Sequence, residues 1–143
     1  MKFYVASSFQ NTEVVREVSS KLKELGWHHT YDWTRNERAD SIEALQKIGE
    51  LEVKAVADSD VVIVILPGGK GSHIELGMAI AWQKKTFLYS PNLEAMDMTT
   101  TSTFYHVQGV RICAGSIEKL IADVFNTCTS PLKSQFMMAK SND

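Results

Sequence analysis

Cysteine is scarce in this sequence: Cys113 and Cys128 are the only two among 143 residues. Two cannot make a disulfide framework or a four-cysteine zinc site, so both are expected as reduced thiols. Charge of one sign is missing as well. Fifteen basic against seventeen acidic residues leave a net −2, which argues against a nucleic-acid backbone or an anionic membrane as partner. No apolar run approaches the roughly 20 residues of a membrane span, and the N-terminus enters a strand pattern without a signal sequence. The cytoplasm is therefore the expected location. His28, His29 and His106 show no metal-ligand spacing, and His73 reads as a lone solvated side chain, so no metal or organic cofactor is expected. Repeats and internal linkers are absent. One domain over residues 1–128 is expected, with 129–143 as a tail that is flexible or docks on a partner subunit.

What the sequence does have is concentrated between Asp58 and Ala81. Val61 to Leu66 is an unbroken, β-branched apolar run bounded by turn formers, the pattern of a strand buried on both faces. Pro67-Gly68-Gly69-Lys70-Gly71 follows as a loop whose glycines can take positive φ and admit a ligand to the backbone. A helix is predicted from Ser72, with Ile74, Gly77, Met78 and Ala81 on one face. The N–H groups and dipole at such a helix start suit a polar or anionic ligand. The glycines do not match the dinucleotide fingerprint, since they follow the third strand and lack its full pattern.

The flanking chain alternates strand and helix. Lys2–Ala6 reads as a strand, Asn11 as the cap of a helix through Leu25, Gly26 as its stop, and Trp27–Tyr31 as a second strand. Asp40-Ser41-Ile42-Glu43 opens a helix to about Ala57. Beyond the glycine loop, Lys85–Ser90 and Val107–Ala114 read as strands, residues 92–104 as a long mobile loop, and Gly115-Ser116 as the lead into a last helix. The fold class expected is α/β: a doubly wound, flavodoxin-like, mostly parallel five-stranded sheet with helices on both faces. In such sheets ligands sit at the carboxyl ends of the strands. Ser7-Ser8, Asp32-Trp33 and the glycine loop all fall on that edge.

Two carboxylates compete for chemical roles. Ser72-His73-Ile74-Glu75 fits a capping box, which would give Glu75 a structural task; the three glycines before it favour a functional one. A helix start also favours the ionised form expected of a nucleophile. Glu52 shares a helical face with Leu45, Ile48, Ala55 and Val56, where a carboxylate is costly unless paired or used. Either it lies at the edge of that stripe, or burial raises its pKa and makes it a proton donor. Two carboxyls with separated pKa values are what glycosidic cleavage needs. Asp32 and Trp33 either bind a sugar hydroxyl and stack on a base or form a surface turn.

On these motifs the chain resembles the nucleoside 2-deoxyribosyltransferases and the related 2′-deoxynucleoside 5′-monophosphate N-hydrolases. The likeness rests on Phe3-Tyr4-Val5-Ala6-Ser7, on Glu52 eight positions before Asp60, on the glycine loop, and on Glu75-Leu76-Gly77-Met78-Ala79. The resemblance implies Glu75 as the nucleophile on C1′ and Glu52 in place of an Asp that assists at the base. It implies Ser7, Gly71 and Ser72 around the sugar or its 5′ group; by their place on the strand edge, Ser8, Gly69, Asp32 and Trp33 are expected as further substrate contacts. Phe3 falls where the family has a tyrosine that orients the nucleophile, and strand alternation sends Tyr4 to the other face. A homo-oligomer, often a dimer, is implied too. A shorter likeness links Pro67 to Glu75 with the Pro-Gly-Gly-x-Gly-Thr-x-x-Glu motif of cytokinin-activating phosphoribohydrolases.

The function expected is cleavage or exchange of the N-glycosidic bond of a nucleoside or nucleotide. The alternative is a nucleotide or nucleotide-sugar sensor that binds without turnover, which Phe3 favours.

Overall fold

The apolar run at the centre of the sequence becomes the centre of the sheet. In the computed structural model, which describes residues 1–130, β3 (Val61–Ile65) is buried along its whole length. A strand with two buried faces needs neighbours on both edges and helices above and below it. Its neighbours are β1 (Lys2–Ala6) and β4 (Lys85–Tyr89), and the sheet is completed by β2 (His28–His29) and β5 (Val110–Cys113). The order is β2-β1-β3-β4-β5 and every pairing is parallel. This is the doubly wound α/β arrangement expected from the alternation of elements.

Four helices cover the sheet. These are α1 (Thr12–Glu24), α2 (Ile42–Asp58), α3 (Lys70–Ala81) and α4 (Ile117–Thr129), with α1 packed beside α4 and α2 beside α3. The apolar stripe of α1 buries Val15, Val18 and Leu22. Gly26 ends that helix at φ +87°, and its N–H reaches Lys23 O at 2.9 Å, a stop that a side chain would strain. Ser41 caps α2, its Oγ accepting from Ala44 N at 3.1 Å, so the helix opens at Ile42. Asn11 holds the cap position of α1, yet its amide is used elsewhere. Its Nδ2 donates to Ser7 Oγ and to Pro67 O, each at 2.9 Å, and so braces β1 against the loop after β3.

Three expectations change. β2 is two residues long, shorter than Trp27–Tyr31, because Trp27 turns inward against Phe125 and Thr30 Oγ1 donates to Phe3 O. β5 starts at Val110, because Gly109 sits at φ +100° and Val107 to Val110 closes a turn. Residues 92–104 are a tied-down segment. Thr100 Oγ1 donates to Glu94 O, Thr101 Oγ1 donates to Ala95 O, and Asp97 Oδ1 accepts from Thr99. The expected tail at 129–143 lies outside the described residues beyond Ser130. Among the described residues no helix is long and apolar enough to cross a membrane.

Ile63 sits fully buried in the middle of β3, between Val5 of β1 and Phe87 of β4. Ile63→Ala is expected to lower stability by about 2–5 kcal/mol, since the sheet cannot collapse around the lost methyls. Urea unfolding with an unchanged m-value checks it; a loss below about 1 kcal/mol would mean that this strand is not the core.

Candidate active site

The chain reverses direction across the sheet between β1 and β3, and the carboxyl ends of those strands open into a cavity of about 850 Å³. Ser7, Ser8 and Phe9 border it from the end of β1, and Gly69, Lys70, Gly71 and Ser72 from the glycine loop. Leu45, Ile48 and Glu52 of α2 form one wall, Trp33 and residues 36–39 another, and Glu75 lies on α3. Apolar side chains (Phe9, Trp33, Leu45, Ile48) therefore line the cavity together with carboxyls and the hydroxyls of Ser7, Ser8 and Ser72.

The loop is shaped by a single hydroxyl. Ser72 Oγ accepts from Gly69 N at 2.7 Å and donates to Gly69 O at 2.9 Å. Gly69 is thus the cap of α3 and Ser72 its third residue, so the helix begins at Lys70, two residues before the predicted start. Glycine is required at 68 because a Cβ there would lie 2.5 Å from Ser72 Oγ. None of the loop glycines takes a positive φ, contrary to expectation; close approach at Gly68 is what the loop uses. With Ser72 making the cap, Glu75 is released from the capping role. It is the sixth residue of the helix, beyond the first turn where the dipole is felt.

Glu75 is 5% exposed. Burial pushes its carboxyl up to about 8, with the Glu52 charge adding to the rise and the Tyr4 hydroxyl opposing it. Glu52, half-buried, is also raised, chiefly by burial. The expected contrast of an ionised Glu75 beside a neutral Glu52 is replaced by a pair that both resist ionisation. Tyr4 makes a short hydrogen bond to Glu75 Oε2, its hydroxyl donating. Burial and the adjoining carboxyl raise the Tyr4 phenol far above its usual value, so it remains a donor.

Tyr4 is the residue that strand alternation misassigned. Alternation does separate Phe3 from Tyr4, but it is Tyr4 that faces α3. Phe3 is fully buried and stacks on His29 with ring centroids 4.7 Å apart, so it does not reach the cavity. Burial lowers His29 to about 4 and keeps that imidazole neutral beneath the ring. The available signal was chemical: a hydroxyl inside an apolar strand needs a polar partner, and a phenyl ring does not.

Asp32 is the second correction. Its Oδ1 accepts from Thr34 N at 3.1 Å and from Thr34 Oγ1 at 2.5 Å, and its Oδ2 meets Arg35 Nε at 3.3 Å. The carboxylate thus caps its own turn, away from the cavity. Trp33 does border the cavity, with Nε1 donating to Val5 O at 2.7 Å and the exposed Phe9 ring edge-on to it at 5.7 Å. Ser7 Oγ donates to Ile65 O at 2.8 Å and Ser8 Oγ to Pro67 O at 3.0 Å, so both serines lock the rim. Phe9, Asn36, Glu37 and Arg38 border the cavity without having been singled out, since nothing in their local pattern marks them. Among the described residues, no three His, Cys, Asp or Glu side chains converge as metal ligands.

The sequence profile of the family described as nucleoside 2-deoxyribosyltransferase matches residues 3–128. No curated protein matches the chain in sequence. Among solved structures, a CMP N-glycosidase of Clostridium botulinum, BcmB, superposes with a TM-score of 0.57 at 18% identity, covering 87% of this chain and 98% of its own. At that identity the likeness speaks for the fold.

A raised carboxyl makes stability depend on pH with a definite sign. Between its ordinary value of 4.5 and about 8, Glu75 binds more proton in the folded than in the unfolded chain. Its favourable contribution is full below 4.5 and is lost as pH rises through 8. Unfolding free energy is expected to fall over that window, and Glu75→Gln to remove most of the fall, leaving the variant more stable at pH 8 by on the order of 1 kcal/mol or more. Parallel pH profiles for the two proteins would contradict the burial assigned to Glu75.

Proposed function

The chain belongs to the nucleoside 2-deoxyribosyltransferase family, and from that premise we propose that it cleaves or exchanges the N-glycosidic bond of a nucleoside or nucleotide. The observation that carries the reading is one cavity in which two carboxyls, Glu52 and Glu75, are both raised by burial, with a tyrosine hydroxyl on Glu75. Glu75 is the proposed nucleophile. Tyr4 occupies Oε2 and leaves the other oxygen to attack C1′. As the new C–O bond forms, the C1′–N bond breaks and the base leaves with a proton from Glu52 or water. Glu75 holds its proton up to about 8, so that proton passes to Glu52 before attack begins, and Tyr4 steadies the carboxylate left on Glu75. Water, deprotonated by Glu52, or a second base then displaces Glu75 from C1′. Two displacements give retention of configuration.

The substrate roles follow the two kinds of lining. Leu45, Ile48, Phe9 and Trp33 are apolar and would take the flat base. Ser7, Ser8, Gly69, Gly71 and Ser72 would take the sugar and its 5′ group, with Lys70 and Arg38 as cations at the rim. The sensor alternative rested on Phe3 in place of an orienting tyrosine; with Tyr4 on Glu75 that ground is gone. A CMP N-glycosidase of similar fold fits the same bond class.

Incubating the protein with a panel of nucleosides and 5′-nucleotides, then separating free bases by chromatography, tests the reading. Release is expected from at least one nucleotide. Glu75→Ala should reduce kcat by about 10³-fold or more, and Glu52→Gln by roughly 10²-fold. Adding a second free base separates exchange from hydrolysis. Neither release nor exchange across the panel would end the proposal.

A cytoplasmic homo-oligomer belongs to the same reading. Phe9, Ile42 and Leu45 are 79%, 75% and 56% exposed at or beside the cavity, and a second copy laid there would cover them. Sedimentation equilibrium is expected to give twice the chain mass, and Leu45→Glu to give the chain mass. A monomeric wild-type protein would rule the arrangement out.

A further inference from the structure

His73 does not border the cavity that holds the carboxyl pair and has no part in the steps above, yet its ring ties together two separate segments. Its Nδ1 lies 2.7 Å from Gly69 O, and its Nε2 lies 2.6 Å from the Tyr105 hydroxyl, with the rings stacked at 5.8 Å. A carbonyl oxygen can only accept, so Nδ1 carries the proton. In the neutral imidazole Nε2 then accepts from Tyr105. Tyr105 is 5% exposed and held by the ordered segment between β4 and β5. Its N–H reaches Ser102 O, while the neighbouring Thr101 hydroxyl joins Ala95 O to His106.

The carbonyl at the other end is unusually well held. Gly69 O receives Ser72 Oγ at 2.9 Å, His73 N at 3.2 Å and His73 Nδ1. A trans peptide is planar, so fixing that oxygen toward the helix aims the N–H of Lys70 the opposite way. At a helix start that N–H has no partner in the helix, and both Gly69 and Lys70 border the cavity.

We infer that His73 is a positioning residue for the glycine loop: its Nδ1–H, with the tautomer set by the Gly69 carbonyl and Nε2 occupied by Tyr105, fixes the Gly69 peptide and thereby the backbone donor offered to the substrate. The inference rests on the proposed reaction at this cavity for its kinetic consequence, and on the ring geometry alone for its tautomer. The segment carrying Tyr105 lies between β4 and β5, so the loop after β3 is buttressed from across the sheet.

Three variants separate the two bonds of the ring. His73→Asn keeps an N–H near the place of Nδ1, His73→Gln keeps one near Nε2, and His73→Ala keeps neither. Losing the Gly69 bond is expected to raise KM roughly three- to tenfold in the Ala and Gln variants, about the worth of one partly exposed hydrogen bond. Their kcat should stay within about threefold of wild type, and Asn should restore KM. Unchanged KM in the Ala variant, or an Asn variant as impaired as Ala, overturns the inference. A purely structural role would lower the melting temperature of all three without this split. The second measurement needs no turnover: ¹⁵N spectra of the histidine ring should show the Nδ1–H tautomer in the wild type and keep it in Tyr105→Phe, since the Gly69 carbonyl can only accept. An Nε2–H tautomer in the wild type overturns the inference even if the enzyme is active. A silent nucleotide panel with the expected tautomer instead fails the reaction and leaves the positioning intact.

Discussion

A carboxyl group taken out of water is the constraint around which this fold is arranged. Glu75 is buried on α3, and a carboxylate in that position is costly unless something meets it. The Tyr4 hydroxyl meets one oxygen, and Glu52 lies close enough to raise it further. The sheet order explains how these groups come together. β1 and β3 are neighbours although 58 residues separate their paired positions, so a side chain from β1 faces the helix that follows β3. Stability is given up at this point once the carboxyl ionises, because burial makes it hold its proton up to about 8.

Around that group the backbone is fixed before any ligand arrives. Ser72 binds both the N–H and the carbonyl of Gly69, while Asn11 and Ser8 both donate to Pro67 O. Ser7 accepts from Asn11 and donates to Ile65 O. The hydroxyls that look in the sequence like substrate contacts therefore spend their donors on the rim. Among the described residues, what is left for a ligand is their acceptor capacity, the opening amides of α3 and the side chains of Lys70 and Arg38. A rim held in this way loses little entropy on binding.

The architecture was legible because it follows from pattern. Val61 to Leu66 could only be a doubly buried strand, and the stripe of Val15, Val18 and Leu22 could only face a core. Asn11 is the cap of α1 that the sequence indicates, but the cap of α3 lies three residues before Ser72, for an identifiable reason. Gly69 caps α3 with no side chain to announce it, and Ser72 imitates a cap while serving as the third residue. The Thr99 to Thr103 run looked mobile by composition, whereas in space its hydroxyls satisfy the backbone of two 3₁₀ turns. Asp32 looked available because its local turn, which consumes both its oxygens, is a three-dimensional fact. Parity along β1 was the hardest point. A strand buried on both sides has no polar face to set its phase, so Phe3 and Tyr4 were interchangeable by pattern and distinguishable only by the phenol's need for a partner.

The same reasoning explains why Glu52 could be noticed at all. On α2 the stripe Leu45, Ile48, Glu52, Ala55 and Val56 is a single helical face, but only Ala55 and Val56 are buried in the core. Over its first half that face borders the cavity. A helix that runs from core to cavity without changing its apolar pattern leaves one carboxylate where a hydrophobic residue would pack, and leaves Leu45 exposed. Apolar surface held open to water in this way is unfavourable by itself. It makes sense where a flat, largely apolar ligand group completes the packing that the helix lacks. The misfit of Glu52 and the exposure of Leu45 are then one observation: this face is left for a ligand in the cavity and a second copy of the chain to complete.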